Sequence, residues 1–350
     1  MKKEKDLNYL SYSEAIADAL FLSMKKNKDV FIYGQGVDDP KGHYGTTKNF
    51  HKIFGKDRCF DTPICEDSMT GIGVGAALAG MRPVLIHQRM DFLMLSMNQI
   101  INMASKIPYF SNGKQKVPMV IRACIGRSWG QGAQHSQSLY SFFAHVPGLK
   151  VISPTTPYDV KGALIKSINE NELVIFVEHR MLYNLKGYVP KKKYEIDFGF
   201  SRKIITGSDV TLVGVSYTTI DCVNASKILK KKNINAEVID LISIQPMETE
   251  KIIRSVKKTR NLIIVDNDWI NCGISAEIIS RIVESLEIQI KIKRIGYEPV
   301  ACPTTRELEQ HFYPSPIKIA KLAYNMLTKK TDWNPPSFVQ KEIEEFKGPF

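Results

Sequence analysis

Nowhere in its 350 residues does the chain hold an unbroken apolar run approaching the roughly 18 to 20 residues that a membrane-spanning helix needs. The basic opening, MKKEKDLNYL, leads into an amphipathic pattern instead of a secretory apolar core, so a cytoplasmic protein with no membrane contact is expected. The six cysteines (Cys59, Cys65, Cys124, Cys222, Cys272, Cys302) include no C-x-x-C pair. A zinc knuckle and a disulfide framework both lack their signatures, and reduced core thiols are expected. There is no G-x-x-x-x-G-K-[ST] loop, which excludes a P-loop nucleotide hydrolase, and no G-x-S-x-G elbow to indicate a serine hydrolase of that fold. Gly34-x-Gly36 lacks the third glycine of a dinucleotide-binding turn, and Asp38-Asp39-Pro40 behind it would repel phosphate and block a helix.

What is present reads as an ordinary packed protein of two domains or so, with 43% hydrophobic and 24% charged residues. The net charge of +12 would suit an acidic partner or nucleic acid. The lysines, however, stand in short blocks, Lys191 to Lys193 and Lys230 to Lys232, without interleaved aromatic residues. A solvated surface is the better account, and nucleic-acid binding is not expected.

Ser11 followed by Glu14 forms a capping box, predicting a helix from about Tyr12 to Lys26. Val30 to Tyr33, Val84 to His87, Pro118 to Arg122, Lys150 to Ser153 and Val174 to Glu178 read as buried strands. They alternate with helical stretches, including Phe92 to Ile107 and Tyr158 to Asn169, so the first domain is an α/β fold with a parallel sheet. Tyr188 to Arg202 breaks the alternation and reads as linker. Strands at Val210 to Val215, Ala236 to Leu241, Leu262 to Asp266 and Ile290 to Ile295, with helices at Thr219 to Leu229 and Ser275 to Glu284, then predict a second, smaller α/β domain. The expected division is residues 1–187, linker 188–205, second domain 206–330, and a proline-containing tail 331–350 packed on a surface or a partner.

The chemically informative stretch is Asp61-Thr62-Pro63-Ile64-Cys65-Glu66, followed by a helix in which Gly71, Gly75 and Ala79 fall four apart. Such a bare face suits close approach of another backbone. Glu66 at the helix mouth is either a carboxylate favoured there by the helix dipole or a functional acid, and residue type alone leaves both open.

DTPICE, the small-residue helix, RPVLIHQRMDFL, NQIINMASK, QHSQSLYSFFAHVPGLKVISPTTPYDVKGAL, VIFVEHRMLY, IDLISIQPM, GISAEI and RIGYEPVACPTTRELE occur in that order between Asp61 and Glu309, within a resemblance that covers roughly residues 8 to 325. In this series the chain resembles the beta subunit of the thiamine-diphosphate-dependent 2-oxoacid dehydrogenase first (E1) component, pyruvate or branched-chain type, in the transketolase-like superfamily. The resemblance implies a pyrimidine-binding transketolase-like domain followed by a transketolase C-terminal-like domain that supports assembly.

It also implies residue roles. Glu66 is the acid that hydrogen bonds the cofactor's pyrimidine N1′ and favours its imino form, which needs a dry pocket. Phe92 lies against the pyrimidine face, with plain core packing as the alternative, and Ile64 and Gln88 line the cofactor. His135, in Gln134-His135-Ser136-Gln137, faces the substrate and moves protons, as a near-neutral side chain can. His145 is a packing or interface residue.

Departures from the family pattern matter too. Gln35 stands where an acidic residue is common, and Arg89 and Arg127 offer cations that would read an anionic group on an unusual substrate. The loop Asn169 to Glu172 does not carry over a potassium site. No G-D-G with its later asparagine is present, so this chain is expected to hold no metal itself. Magnesium and the diphosphate would then be held mainly by an alpha subunit in an α2β2 heterotetramer, with a lipoyl-bearing acyltransferase (E2) accepting the acyl group. The alternative is a two-chain transketolase-like or acyloin-forming enzyme using the same cofactor without lipoyl, and a non-catalytic subunit is a third reading.

Overall fold

A computed structural model describes residues 6–127 and 130–336. These fall into two compact units, one of residues 6–126 and 137–198, the other of residues 127, 130–136 and 199–336.

The first unit is built on parallel strands. β1 (Leu7–Ser11) enters α1 (Tyr12–Lys26), whose capping box forms as expected: the Ser11 hydroxyl accepts from the Glu14 N–H, and a Glu14 oxygen accepts from the Ser11 N–H at 2.7 Å. Then come β2 (Val30–Gly34), α2 (Phe50–Phe54), β3 (Cys59–Asp61), α3 (Glu66–Leu78) and β4 (Arg82–His87). α4 (Met90–Leu93), α5 (Ile107–Phe110), β5 (Val120–Ile125), α6 (Tyr140–Ala144), β6 (Lys150–Ile152), α7 (Pro157–Asn169), β7 (Val174–His179) and β8 (Lys186–Pro190) complete it. The six strands β6-β7-β5-β4-β2-β3 lie side by side in that order, all parallel. β2, β5 and β7 are buried throughout, as strands covered on both faces require, whereas the edge strand β3 opens to an exposed Asp61.

Three expectations need correction. The single helix read from Phe92 to Ile107 is instead α4, a 3₁₀ turn over Met94–Ser96, a π-helical segment over Asn98–Ala104 and α5. The apolar periodicity was real, but the changing turn width swings Ser96 inward, and Pro108 at the start of α5 opens a new helix. The stretch read as linker begins inside β8, which pairs antiparallel with β1, the Tyr188 ring tilted against that of Tyr9 at 5.0 Å. Of the six cysteines, all unpaired, Cys65 and Cys272 are exposed because they lie in the connections before helices.

The second unit holds β9 (Arg202–Ile205), β10 (Val210–Gly214), α8 (Tyr217–Lys230), β11 (Ala236–Asp240), β12 (Ser243–Gln245), α9 (Glu250–Thr259), β13 (Asn261–Trp269), α10 (Ile274–Glu284), β14 (Lys291–Tyr297), α11 (Arg306–Phe312) and α12 (Pro316–Thr328). Its sheet runs β14-β13-β10-β11-β9, with only β9 antiparallel. Val210, Leu212, Val238, Ile263 and Val265 pack with α8 and α12 as its core, and Trp333 of the tail joins that cluster. The tail beyond residue 336 lies outside the described residues.

Candidate active site

The site in the first unit stands at the carboxyl ends of three neighbouring strands, β3, β2 and β4, the edge of an open α/β sheet where ligands gather. Glu66 follows β3 and is the first residue of α3, only 8% exposed. Gln35 follows β2, and its Nε2 donates to Glu66 Oε1 at 3.5 Å. Gln88 and Arg89 follow β4, and the Gln88 amide lies over Gly36, where a Cβ would stand 3.1 Å from Nε2.

The helix start that carries Glu66 is fixed from beneath. The Ser96 hydroxyl donates to the Glu66 carbonyl at 2.7 Å and accepts from Thr70 at 2.9 Å, and Thr70 meets His87 Nε2 at 3.4 Å. The Tyr33 hydroxyl donates to the Met69 carbonyl at 2.7 Å, and burial pushes that phenol's pKa well up. Gly73 admits this contact, since a Cβ there would collide with Tyr33 Oη and Met119 Cε. Gly75, by contrast, faces open space, and Gly71 meets only Gln99.

Around Glu66 the surface changes character. Ile64 is 80% exposed, Phe92 is half-buried and Gln88 is exposed. Asp38, Asp39 and Asp61 form an acidic trio whose carboxylates lie within 4.8 Å of one another. Asp61 is committed to shaping the loop: its carboxylate accepts from the N–H groups of Gly36, Val37 and Asp38.

Arg89 is 6% exposed. Its Nε lies 3.4 Å from Asp91 Oδ2 and its Nη2 donates to the Gly126 carbonyl at 3.4 Å, while Nη1 has no hydrogen-bond partner. Asp91 also accepts from the Gln137 backbone and side chain at 3.0 and 3.2 Å. Asp91, Ser96, Thr70 and Tyr33 were not singled out from the sequence, because a serine or tyrosine that holds a helix end carries no local motif. The only signal was their position beside Glu66 and Phe92.

His135 and Arg127 lie among residues 127 and 130–136, which group with the second unit by their contacts. His135 is half-buried, its N–H donating to the Gly132 carbonyl at 3.4 Å. Arg127 is buried within the second unit against Tyr217 and Tyr313. His145 is exposed just past α6.

Two domain families match this chain, the transketolase pyrimidine binding domain over residues 8–186 and the transketolase C-terminal domain over residues 201–319. The pyruvate dehydrogenase E1 component subunit beta of Cyanidium caldarium is 37% identical over 320 residues, covering 91% of this chain and 98% of its own. The 2-oxoisovalerate dehydrogenase subunit beta of Bacillus subtilis is 35% identical, covering 89% and 97%, and the acetoin:2,6-dichlorophenolindophenol oxidoreductase subunit beta of Cupriavidus necator is 36% identical, covering 90% and 96%. A split-gene transketolase solved as an inactive β4 tetramer shares the fold, with a TM-score of 0.76 at 19% identity over 91% of this chain and 99% of that one. The chain belongs to the transketolase-like superfamily, in the family of E1-component beta subunits of thiamine-diphosphate-dependent 2-oxoacid dehydrogenases.

Proposed function

We propose that this chain is the beta subunit of an E1 component that decarboxylates a 2-oxoacid such as pyruvate or a branched-chain 2-oxoacid and passes the acyl group to lipoyl, working in the cytoplasm. The observation that carries the reading is Glu66, a buried carboxyl fixed at a helix start by Ser96 and met by Gln35 Nε2 at 3.5 Å, at the carboxyl ends of β3, β2 and β4. Thiamine diphosphate, when bound, supplies a carbon centre that takes up the electron pair released as carbon dioxide leaves.

This chain's residues hold its pyrimidine end. The Glu66 carboxyl bonds the ring nitrogen, Phe92 offers a face for stacking, and Ile64 and Gln88 border the ring. His135 moves a proton at the substrate. Arg89, with an N–H to spare in a buried setting, reads an anionic group on the substrate. The diphosphate and its magnesium fall to an alpha subunit, in an α2β2 assembly. Exposed Ile64, Ile72 and Leu95, with the open face at Gly75, support a partner surface on α3 and the segment after α4. A lipoyl-bearing acyltransferase then accepts the acyl group.

The test is turnover of a panel of 2-oxoacids and acyloins by this chain paired with its alpha chain, with a lipoyl domain as acceptor. Acylation of lipoyl from a 2-oxoacid, abolished by Glu66→Gln, supports the proposal. Turnover of acyloins alone, or full activity in Glu66→Gln, overturns it. Within the same panel, Arg89→Ala should raise KM most for substrates with a second anionic group, and equal effects on all substrates would remove Arg89 from substrate reading.

A further inference from the structure

Arg127 is a buried cation, and its surroundings show what holds it. Its guanidinium lies over the ring of Tyr217 at 5.0 Å and the ring of Tyr313 at 5.2 Å. Nη1 donates to the Pro314 carbonyl at 3.2 Å, and Nη2 stands 4.0 Å from Asp221 Oδ1. Although burial opposes the charge, the carboxylate of Asp221 and the two phenols hold Arg127 protonated more firmly than usual. Two ring faces, a carbonyl and a carboxylate match a planar fork with several donors, and a lysine could not fill this place.

The same wall of the second unit receives the rest of the loop. Gly130, with φ +66°, packs on the Thr304 carbonyl so tightly that a Cβ would collide, and its N–H donates to Glu309 at 3.4 Å. A Cβ on Gly132, with φ +70°, would stand 2.7 Å from Thr304 Cγ2. Tyr313 faces Arg127 with its ring, and its phenol stands in hydrogen-bond contact with Cys302 Sγ at 3.3 Å. His135 follows shortly after Gly132, its N–H donating to the Gly132 carbonyl at 3.4 Å. Direct contacts with the second unit at Arg127, Gly130 and Gly132 therefore hold the chain on the approach to the histidine.

We propose that Arg127 is a positioning residue for His135, the anchor by which the second unit fixes residues 130–136. The catalytic part of this inference rests on His135 acting as proposed above; the anchoring part does not. It gives the second unit a role in the chemistry beyond assembly, and it assigns to Arg127 a task different from reading the substrate. Removing the guanidinium should free the histidine's loop without touching Glu66 or its neighbours.

The experiment compares wild type, Arg127→Lys and Arg127→Ala in the assembled enzyme by amide hydrogen exchange and by steady-state kinetics. Exchange over residues 130–136 is expected to rise at least about ten-fold in Arg127→Ala, with the strands of both units unchanged. kcat is expected to fall about ten-fold or more with KM for the 2-oxoacid within two-fold, and Arg127→Lys should rescue little. In a His135→Ala background, Arg127→Ala should cost no further activity. Unchanged exchange over 130–136 overturns the anchor whatever the activity. Raised exchange with full kcat, or equal losses with and without His135, overturns the positioning role. A wild-type enzyme that turns over no 2-oxoacid contradicts the proposed function, and exchange then still decides the anchor.

Discussion

Gln35 Nε2 donates to Glu66 Oε1, joining the end of β2 to the start of the helix behind β3. At 3.5 Å the bond is long, so its part in aiming the carboxyl is modest, of the order of 1 kcal/mol for a neutral donor. Gln35→Ala should weaken thiamine diphosphate binding to the assembled enzyme about five-fold by calorimetry. Affinity equal to wild type would show that Gln35 does not aim Glu66. Gln35→Glu sets a second carboxyl beside the first, so that one of the pair retains its proton, and the pH profile of activity should shift.

Gly73 and Gly75 lie two apart on α3 but have opposite surroundings. Gly73→Ala drives a Cβ into Tyr33 and Met119, and should destabilise the first unit by about 1–3 kcal/mol. Gly75→Ala meets nothing within 4 Å and gains helix propensity, up to about 1 kcal/mol in the isolated chain. Melting of both variants alone, with co-purification on the alpha chain, separates packing from partner contact. If α3 faces the partner, Gly75→Ala melts no lower than wild type yet weakens the pair. Equal melting losses in both variants would contradict the two environments.

Arg122 and Glu178, each 1% exposed in its side chain, pair across neighbouring strands β5 and β7. Arg122 also donates to the Thr46 hydroxyl at 3.1 Å, and Glu178 accepts from the Tyr183 hydroxyl at 2.9 Å. Glu178→Ala leaves a buried cation uncompensated and should cost about 3–5 kcal/mol in chemical unfolding. A loss under about 1 kcal/mol would mean that water or a counter-charge reaches Arg122.

Two buried histidines predict acid sensitivity of the fold. Burial, aided by the Arg122 charge, holds His43 down at about 3, and burial holds His87 at about 4. In the unfolded chain both titrate near about 6.5. Between these values the unfolded chain binds more protons, so the stability they contribute is complete above about pH 6.5 and is lost as pH falls toward 4 and 3. Each histidine adds up to about 1.4 kcal/mol per pH unit across its window. Unfolding between pH 7.5 and 5 should show this slope, and His87→Gln should reduce it. A flat profile, or an unchanged slope in the variant, would contradict it.

Much of the sheet was legible because its strands are short, wholly apolar runs separated by helical periodicity. α1 begins where the Ser11 box places it and spans the expected Tyr12–Lys26. β1 was missed because LNYLS is an edge pair with mixed exposure, and α9 and α12 because no motif drew attention to them. Glu66, Gln88 and Phe92 could be named only through resemblance, since residue type alone allowed a plain helix-start acid. The support of the Glu66 helix start by Ser96, Thr70 and Tyr33 depends on contacts between distant segments, which no local pattern encodes. The grouping of residues 127 and 130–136 with the second unit was equally hidden, because Tyr217 and Tyr313 lie far along the chain from Arg127.

The central claim is a cofactor site split between two chains, with Glu66 at this chain's half. Calorimetry of thiamine diphosphate with magnesium tests it most directly, on this chain alone, on its pair with the alpha chain, and on the pair carrying Glu66→Gln. The account predicts binding only in the pair, weakened about 10- to 100-fold by Glu66→Gln through loss of a charge-assisted hydrogen bond. Tight binding by this chain alone, or undiminished binding by the variant pair, would contradict it.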